Sequence, residues 1–241
     1  MDALFFTLHS GLPHEGPGSR EDTLRALALT GLSGRLAVLD IGCGPGPSSL
    51  VLLEALPEAR VTGVDDHAPF IEAARARVAA AGHGPRFAAV EADMAALPFE
   101  AGSFDLLWCE GAVYIMGVER ALGLWRPLLR PGGRIAFTEA VWLVSAPHPE
   151  AQAVWAEYPE MTDVAGTQAR IARAGWRNLG WFMVSEAAWE NYFGPLGARV
   201  AALAPVHGAG APALAEAARE IALRRSHGDE YGYAFFVAEP K

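Results

Sequence analysis

The stretch VLDIGCGPG, residues 38–46, combines an apolar run, an acidic residue and three alternating glycines, and Pro47 follows it directly. Proline is favoured at the first position of a helix, and glycine adopts positive φ angles at little cost. Because glycine has no Cβ, a ligand can also approach the backbone closely there. In an open α/β sheet, ligands bind outside the carboxyl ends of the strands. The stretch therefore predicts a strand, a ligand-binding turn and a helix, in that order.

A second acidic residue narrows the identity of the ligand. Asp65 ends the next predicted strand, 23 residues after Gly42, and a carboxylate there can accept hydrogen bonds from both hydroxyls of a ribose. Glycines alone are compatible with a purely structural turn, but the two features together favour an adenine nucleoside or nucleotide. A dinucleotide site would need its third glycine at Pro47, whereas Gly42, Gly44 and Gly46 fit the pattern G-x-G-x-G. No Gly-Lys-Ser/Thr follows, which disfavours a phosphate-binding P-loop.

Short apolar runs alternate with helical patterns between residues 36 and 140, which is typical of βαβ units and a mostly parallel sheet. The runs are continuously apolar, as expected for strands that are covered on both faces. The predicted strands are residues 36–41, 60–65, 86–92, 104–110 and 134–140, and further apolar runs occupy 178–185 and 231–239.

Apolar residues recur at three- and four-residue steps between these runs and predict buried helix faces. One face comprises Ile71, Ala74, Val78 and Ala81, and another comprises Val118, Leu122, Trp125 and Leu129. Pro127 interrupts the second face, and Pro131-Gly132-Gly133 is expected to end that helix and turn the chain into the next strand. A further helix is expected at 163–174.

The length of 241 residues and the hydrophobic fraction of 51% predict one folded α/β domain. Residues 36–140 are expected to form its ligand-binding core. The segments 1–35, 141–162 and 186–230 are interpreted as additions: the first as an N-terminal cover or lid, the others as insertions on the substrate side.

Composition excludes several other classes of function. The net charge of −9 and the absence of a Lys/Arg run argue against a nucleic-acid partner. The N-terminal stretch has no basic region typical of a secretory signal, and no segment is apolar for long enough to predict a membrane span. The two cysteines, Cys43 and Cys109, follow different strands, which favours a reduced, cytoplasmic protein. No histidine lies at metal-ligand spacing from another histidine or a cysteine, so no metal is expected.

Between about residues 36 and 140, the chain resembles the class I S-adenosylmethionine-dependent methyltransferases. The resemblance rests on the glycine turn, on Ala92-Asp93-Met94 followed by LPFEAGSFDLLW, and on RPLLRPGGRIAFTE. Within that superfamily the chain is similar to a branch of the ubiquinone/menaquinone-biosynthesis type (methyltransferase type 11) that has no settled substrate. The segments that carry this likeness are GPGSRE (16–21), EGAVYIMGVERAL (110–122), TEAVW (138–142), YPE (158–160) and YGYAFFV (231–237).

The resemblance implies a fold, a cofactor and a set of contacts. The fold is a Rossmann-like α/β sheet of seven mostly parallel strands, the last antiparallel, with helices on both faces and helical additions. The cofactor is S-adenosylmethionine, which leaves as S-adenosylhomocysteine. Its implied contacts are Gly42, Cys43, Gly44 and Gly46 at the methionine and ribose with Asp40 nearby, Asp65 at the ribose, Asp93 at the adenine amino group and Met94 at the ring.

Methyl transfer from a sulfonium is an in-line displacement whose leaving group needs no proton, so alignment and exclusion of water are the main requirements. A base is needed only when the acceptor must lose a proton, and Glu110 and Tyr114 are the candidates for that role. Glu110 could instead contact the cofactor or the substrate, or cap the following turn. Tyr114 and Trp142 could wall the substrate pocket or pack in the core.

The second half of the chain is rich in aromatic residues that could form a cage for a cation or simply fill the helical cover. They are Trp155, Tyr158, Trp176, Trp181, Trp189, Tyr192 and Phe193, of which Tyr158 is taken as a substrate contact. Ser19 follows the turn-forming Gly16-Pro17-Gly18 and could cap a helix. Our hypothesis is that this segment folds over the cofactor as a lid and brings Ser19 to it.

The expected function is methyl transfer to a small-molecule acceptor. One alternative is a non-catalytic S-adenosylmethionine-binding protein. Another is a nicotinamide-dependent oxidoreductase, but the Tyr-x-x-x-Lys pair that it would need is missing, because Val118 lies four residues after Tyr114. The expected partner is the small-molecule substrate, and a homodimer is the expected form of any self-association.

Overall fold

A computed structural model describes residues 3–241, so Met1 and Asp2 of the expected N-terminal cover lie outside the described residues. Seven strands form one sheet in the order β3-β2-β1-β4-β5-β7-β6. They are β1 (Ala37–Ile41), β2 (Arg60–Asp65), β3 (Phe87–Glu91), β4 (Phe104–Cys109), β5 (Leu129–Trp142), β6 (Trp176–Met183) and β7 (Tyr231–Pro240). Strands β1 to β5 pair in parallel, and β7 is antiparallel to both β5 and β6. This confirms the sheet that the sequence predicts.

Helices cover both faces of the sheet. They are α1 (Ala3–His9), α2 (Arg20–Thr30), α3 (Pro47–Ala55), α4 (Ala68–Ala80), α5 (Val118–Trp125), α6 (Pro149–Val154), α7 (Val164–Arg173), α8 (Glu186–His207) and α9 (Pro212–His227). Successive strand residues point to opposite faces, and Val38 and Leu39 accordingly belong to different buried clusters. Within residues 3–241, no helix combines the length and apolar character that crossing a membrane requires.

Two residues of the predicted helix faces lie elsewhere. Helix α5 ends at Trp125, a 3₁₀ turn takes up Arg126–Leu128, and Leu129 is the first residue of β5. The helix stops earlier than expected because Pro127, inside that turn, has no N–H with which to continue an α-helix. On α4, Ala81 is an exposed C-cap residue rather than a buried one.

Strand β5 also differs from its predicted range of 134–140, because it runs through Pro131-Gly132-Gly133 instead of starting after it. Its pairing with β4 shifts register between Phe104 and Leu106, which accommodates the extra residues. The long C-terminal part of β5 pairs with β7 as far as Trp142. Residues 141 and 142, expected in an insertion, therefore complete the sheet.

The topology places three polar positions at one edge of the sheet. The glycine turn follows β1, Asp65 ends β2, and Glu110 follows β4. These strands are neighbours in parallel, with Asp40 level with Gly63 on one side and Trp108 on the other. The edge is covered by α1, α8 and α9, which share a buried apolar cluster that includes Leu8 and Leu196.

Candidate active site

A cavity of about 920 Å³ lies at the carboxyl edge of β1, β2 and β4. This volume is near the top of the range of roughly 300–1,000 Å³ that is typical of small-molecule sites. The glycine turn, the tip of β2 and the loops after β3 and β4 bound one half, which we call the cofactor half. The other half, which we call the acceptor half, is bounded by the region of α6, by α8 and α9, and by the start of β7.

The three glycines of the turn all adopt left-handed angles, with φ of +68° at Gly42, +51° at Gly44 and +79° at Gly46. A Cβ at Gly42 would lie 2.5 Å from the Cβ of Ala112, and one at Gly46 would lie 3.0 Å from the Cβ of Ala74. At Gly44 the nearest atom would be the Cγ of Glu15, at 3.6 Å. Two of the glycines thus permit close packing of neighbouring elements, while Gly44 keeps backbone open toward the cavity.

Asp65 holds the glycine turn and still faces the cavity. Its Oδ2 accepts a hydrogen bond from the Gly44 N–H at 2.9 Å, and its Oδ1 accepts one from the His67 N–H at 3.0 Å. Burial raises the pKa of Asp65, and these two hydrogen bonds oppose that shift. Each carboxylate oxygen has a further lone pair. The carboxyl group can therefore accept both hydroxyls of a vicinal diol without releasing the turn.

Asp40 and Cys43 line the same half of the cavity. The Ser49 hydroxyl donates to Asp40 Oδ2 at 2.6 Å, and burial raises the pKa of Asp40 to about 7. Cys43 and Cys109 are both free, and burial raises the pKa of each thiol. A buried thiol that holds its proton is a poor nucleophile, so Cys43 contributes shape rather than reactivity.

Asp93 and Met94 lie where the loop after β3 meets the cavity. Asp93 is exposed, and its Oδ1 accepts the Ala95 N–H at 2.8 Å, which fixes the turn. The Met94 carbonyl accepts the indole N–H of Trp125 at 2.9 Å. The methionine side chain itself extends toward Gly42. An acidic group and an apolar side chain thus follow each other in the chain at the cavity. A planar aromatic ligand with an amino group on its edge could contact both of them.

Glu110 connects β4 to the N-terminal segment. Its Oε1 accepts the Trp108 indole N–H at 2.7 Å and the Thr23 hydroxyl at 2.9 Å. Its Oε2 faces Gly18. Burial raises the pKa of Glu110, and its hydrogen bonds oppose that shift. The carboxyl group therefore binds side chains of β4 and α2 instead of capping the turn that follows it.

Two residues expected at the site do not line the cavity. The Ser19 hydroxyl accepts the Asp22 N–H at 3.1 Å and donates to Asp22 Oδ2 at 2.8 Å, so Ser19 is the N-cap of α2. Trp142 ends β5 opposite Tyr231, and its N–H donates to the Thr162 carbonyl. The lining includes Gly18 and Tyr231 but neither Ser19 nor Trp142.

Tyr114 and Tyr158 do line the cavity, with ring centroids 6.0 Å apart. Tyr114 is 37% exposed and Tyr158 only 9%. The Tyr158 hydroxyl lies against the carboxyl group of Glu139, a residue that the sequence did not single out. Glu139 is 1% exposed, and burial raises its pKa to about 8. At neutral pH this carboxyl group therefore holds its proton.

The raised pKa of Glu139 predicts a pH-dependent stability. Its folded-state pKa of about 8 exceeds the ordinary glutamate pKa of 4.5, so the stabilisation is complete below about pH 4.5 and is lost as the pH rises through about 8. We expect Glu139→Gln to flatten the fall in melting temperature between pH 6 and pH 9 by about 2 °C or more. Asp40 contributes in the same direction and will leave some residual slope. The exposed Glu91→Gln variant is the control, and an unchanged slope in Glu139→Gln would contradict the assignment.

The N-terminal segment closes one side of the cavity. Phe6 stacks on His67 at 4.3 Å, and Glu15 pairs with His9 at 2.6 Å beside the glycine turn. Burial lowers the pKa of His14 to about 4, so this side chain is neutral. The Gly18 N–H donates to the Ala188 carbonyl at the start of α8. Sequence reasoning placed a cover here but identified none of these side chains, because their partners are distant in the chain.

Histidine spacing predicted no metal, but folding brings two distant histidines together. His148 and His227 stack at 4.5 Å, and possible ligand atoms of these residues and of Glu150 lie within 4.8 Å of one another. His148 and Glu150 are exposed, His227 is half-buried, and none of the three lines the cavity.

Comparison with known proteins finds similarity to methyltransferases over part of the chain. Residues 38–133 match the family model described as a methyltransferase domain. Demethylmenaquinone methyltransferase of Thermus thermophilus is 39% identical over 103 residues, 42% of this chain and 46% of that protein. Trans-aconitate 2-methyltransferase of Paracidovorax citrulli is 38% identical over 112 residues, 46% of this chain and 41% of that protein. The chain spans about half the length of the curated relatives it matches.

Solved structures match along the whole chain. A methyltransferase of Thiobacillus denitrificans, crystallised with S-adenosylhomocysteine, has a TM-score of 0.85 and 20% identity over 100% of this chain and 99% of that chain. One of Geobacter sulfurreducens, also with S-adenosylhomocysteine, has a TM-score of 0.83 and 18% identity over the same shares. At these identities the likeness shows that this chain shares the fold of those two methyltransferases.

Proposed function

We propose that this chain, which carries a methyltransferase domain at residues 38–133, transfers the methyl group of S-adenosylmethionine to a small molecule bound in the cavity. One observation carries the proposal. The backbone of Gly44 and the carboxylate of Asp65 are joined by a hydrogen bond and line the same cavity. This arrangement fits the sugar and the amino-acid part of an adenosyl compound.

The residues of the cofactor half fit S-adenosylmethionine group by group. Asp65 would accept the ribose hydroxyls, Asp93 the adenine amino group, and Met94 would lie against the ring. Asp40, Cys43 and the three glycines would border the ribose and the methionine part. When bound, the cofactor supplies an electrophilic methyl group, and S-adenosylhomocysteine is the product.

The chain itself contributes alignment and exclusion of water. Residues 3–18 close the cofactor half, and α8 and α9 close the acceptor half. Well-oriented reactants can lower a barrier by roughly 7–11 kcal/mol in favourable cases. In this role the N-terminal segment acts as a lid, and Glu110 positions it through Thr23. Ser19 supports the lid as a helix cap and makes no direct cofactor contact.

A dedicated base is not required. Glu110 already accepts two hydrogen bonds through one oxygen, so we assign it to positioning and to the cofactor side. Burial raises the pKa of Tyr114, with Glu220 as a second cause. The phenol therefore keeps its proton and serves as a hydrogen-bond donor to the acceptor. Tyr158 lies next to it as a second wall of the acceptor half.

Thermal shifts and turnover test the proposal. We expect S-adenosylmethionine and S-adenosylhomocysteine to raise the melting temperature. At a ligand concentration of a hundred times the dissociation constant, the free energy of unfolding should rise by about 2.7 kcal/mol. Nicotinamide dinucleotides should not. Release of S-adenosylhomocysteine with members of a broad acceptor panel would distinguish an enzyme from a non-catalytic binder. A shift with dinucleotides alone would overturn the proposal.

The remaining expectations about the setting stay predictions. The two free, buried cysteines accord with a reducing, cytoplasmic location. A small-molecule acceptor accords with an enclosed cavity of this size, and a homodimer remains to be tested by its mass in solution.

A further inference from the structure

The acceptor half of the cavity is lined by carboxylates and by no lysine or arginine of the described residues. Glu216 and Glu220 border it from α9, and aromatic residues line the same half of the cavity. Among the described residues that line the whole cavity, none is a lysine or an arginine. An anionic ligand would therefore find no permanent cation to bind, and it would be repelled by the carboxylates.

Glu220 is the best-placed of these carboxylates. It lies one turn after Glu216 on α9, on the face that also carries Ala213 and Ala217. Burial raises the pKa of Glu220, and Glu216 adds to the shift. His9 and Arg219 act on it in the opposite direction, but no ion pair within 4.0 Å engages it in the described part of the chain. A partly buried carboxylate without a partner is costly, and a bound cation would offset that cost.

Four tyrosines line the same cavity as this carboxylate. Burial is the main cause of the raised pKa of Tyr114, Tyr192, Tyr231 and Tyr233, and Glu220 raises the pKa at each of the four. All four side chains line the cavity. Because the phenols keep their protons, their rings offer the negative π faces that attract cations.

Two aromatic residues of the cavity lining, Trp189 and Tyr231, already hold one cation of the protein. The Arg224 guanidinium lies 4.1 Å from the centroid of Trp189 and 5.7 Å from that of Tyr231. Arg224 is bound to Glu186 and to two backbone carbonyls, and it does not line the cavity. The rings of Trp189 and Tyr231 are thus arranged so that a positive charge can lie over their faces.

We propose that the acceptor half binds a molecule that carries a protonated amine, with the ammonium group against the Glu220 carboxylate and near the tyrosines that line the cavity. The inference rests on the proposed function in taking this molecule as the methyl acceptor. It selects cationic amines over carboxylates and phosphates. Asp40 and Asp65 line the cofactor half and are assigned to the cofactor.

Three probes that share a 2-phenylethyl group test the charge preference: 2-phenylethylamine, 2-phenylethanol and 3-phenylpropanoate. Calorimetric titration into protein saturated with S-adenosylhomocysteine should show the amine binding about tenfold or more tightly than the alcohol, with the carboxylate weakest. Glu220→Gln should lose about tenfold of the amine affinity and leave the alcohol within about twofold. Glu190→Gln, which removes an exposed carboxylate outside the cavity, is the matched control and should behave as wild type.

Two outcomes would overturn the inference. One is an amine that binds no more tightly than the alcohol or the carboxylate, and the other is full amine affinity in Glu220→Gln. The affinity for S-adenosylhomocysteine, measured in the same variants, separates this inference from the proposed function. If that compound fails to bind wild-type protein, the proposed function is wrong, and the amine titration without it decides the inference alone.

Discussion

Replacing Asp65 with alanine is expected to weaken the binding of S-adenosylhomocysteine about 100-fold or more. The complex would lose two hydrogen bonds between the carboxylate and the ribose hydroxyls, each worth roughly 1.5–3 kcal/mol because the acceptor is charged. A loss of about 2.7 kcal/mol in binding free energy already corresponds to a 100-fold loss of affinity. The variant also releases the Gly44 N–H, which Asp65 holds at 2.9 Å. Calorimetric titration measures the loss directly.

Asp65→Asn is the matched variant, because it keeps the size of the side chain and one oxygen acceptor. We expect an intermediate affinity from it. Both variants should keep the far-ultraviolet circular dichroism of wild type, which would separate loss of the site from loss of the fold. Wild-type affinity in Asp65→Ala would remove the ribose contact from our assignment, and with it the main support for an adenosyl ligand.

Gly42→Ala should produce the largest loss of stability among the single changes considered. A φ of +68° costs a non-glycine residue roughly 1–3 kcal/mol. The new methyl group would also lie 2.5 Å from the Cβ of Ala112, and overpacking of this kind costs roughly 1–3 kcal/mol. Together these terms predict a loss of about 2–6 kcal/mol, or roughly 4–24 °C in melting temperature. Relief of the clash must move the turn, so cofactor affinity should fall as well.

Gly102→Ala separates the two causes. Gly102 has a φ of +67°, but a Cβ there would meet no atom within 4 Å. It should therefore show only the backbone cost, of about 1–3 kcal/mol, and keep wild-type affinity for S-adenosylhomocysteine. Equal losses of stability in the two variants would mean that the contact with Ala112 relaxes freely.

The features that sequence alone predicted are local ones. Strand β2 occupies residues 60–65 as expected, and the glycine turn lies between β1 and α3. Both follow from backbone requirements and apolar runs within about ten residues of chain. Asp65 lies beside the turn because parallel neighbouring strands bring their carboxyl ends to one edge. The cofactor half could thus be proposed without coordinates.

The features that sequence missed depend on contacts between distant segments. Thr23 and Glu110 are 87 residues apart, and nothing near either of them indicates their hydrogen bond. Glu139 looks like any acidic residue at the end of a strand until burial raises its pKa. Leu129 fits a helical period, but Pro127 and pairing with β4 place it in a strand. In each case tertiary contacts outweighed the local pattern.

Helix α1 touches both parts of the cavity at once. Phe6 stacks on His67 near the glycine turn, while Leu8 packs in one cluster with Leu196 of α8 and Leu214 of α9. Any ligand that changes how α1 rests on α8 and α9 also changes the environment of the turn. By thermodynamic linkage, such an effect is reciprocal. If one ligand raises the affinity for the other by some factor, the second therefore raises the affinity for the first by the same factor. The affinity for each ligand has to be measured both with and without the other.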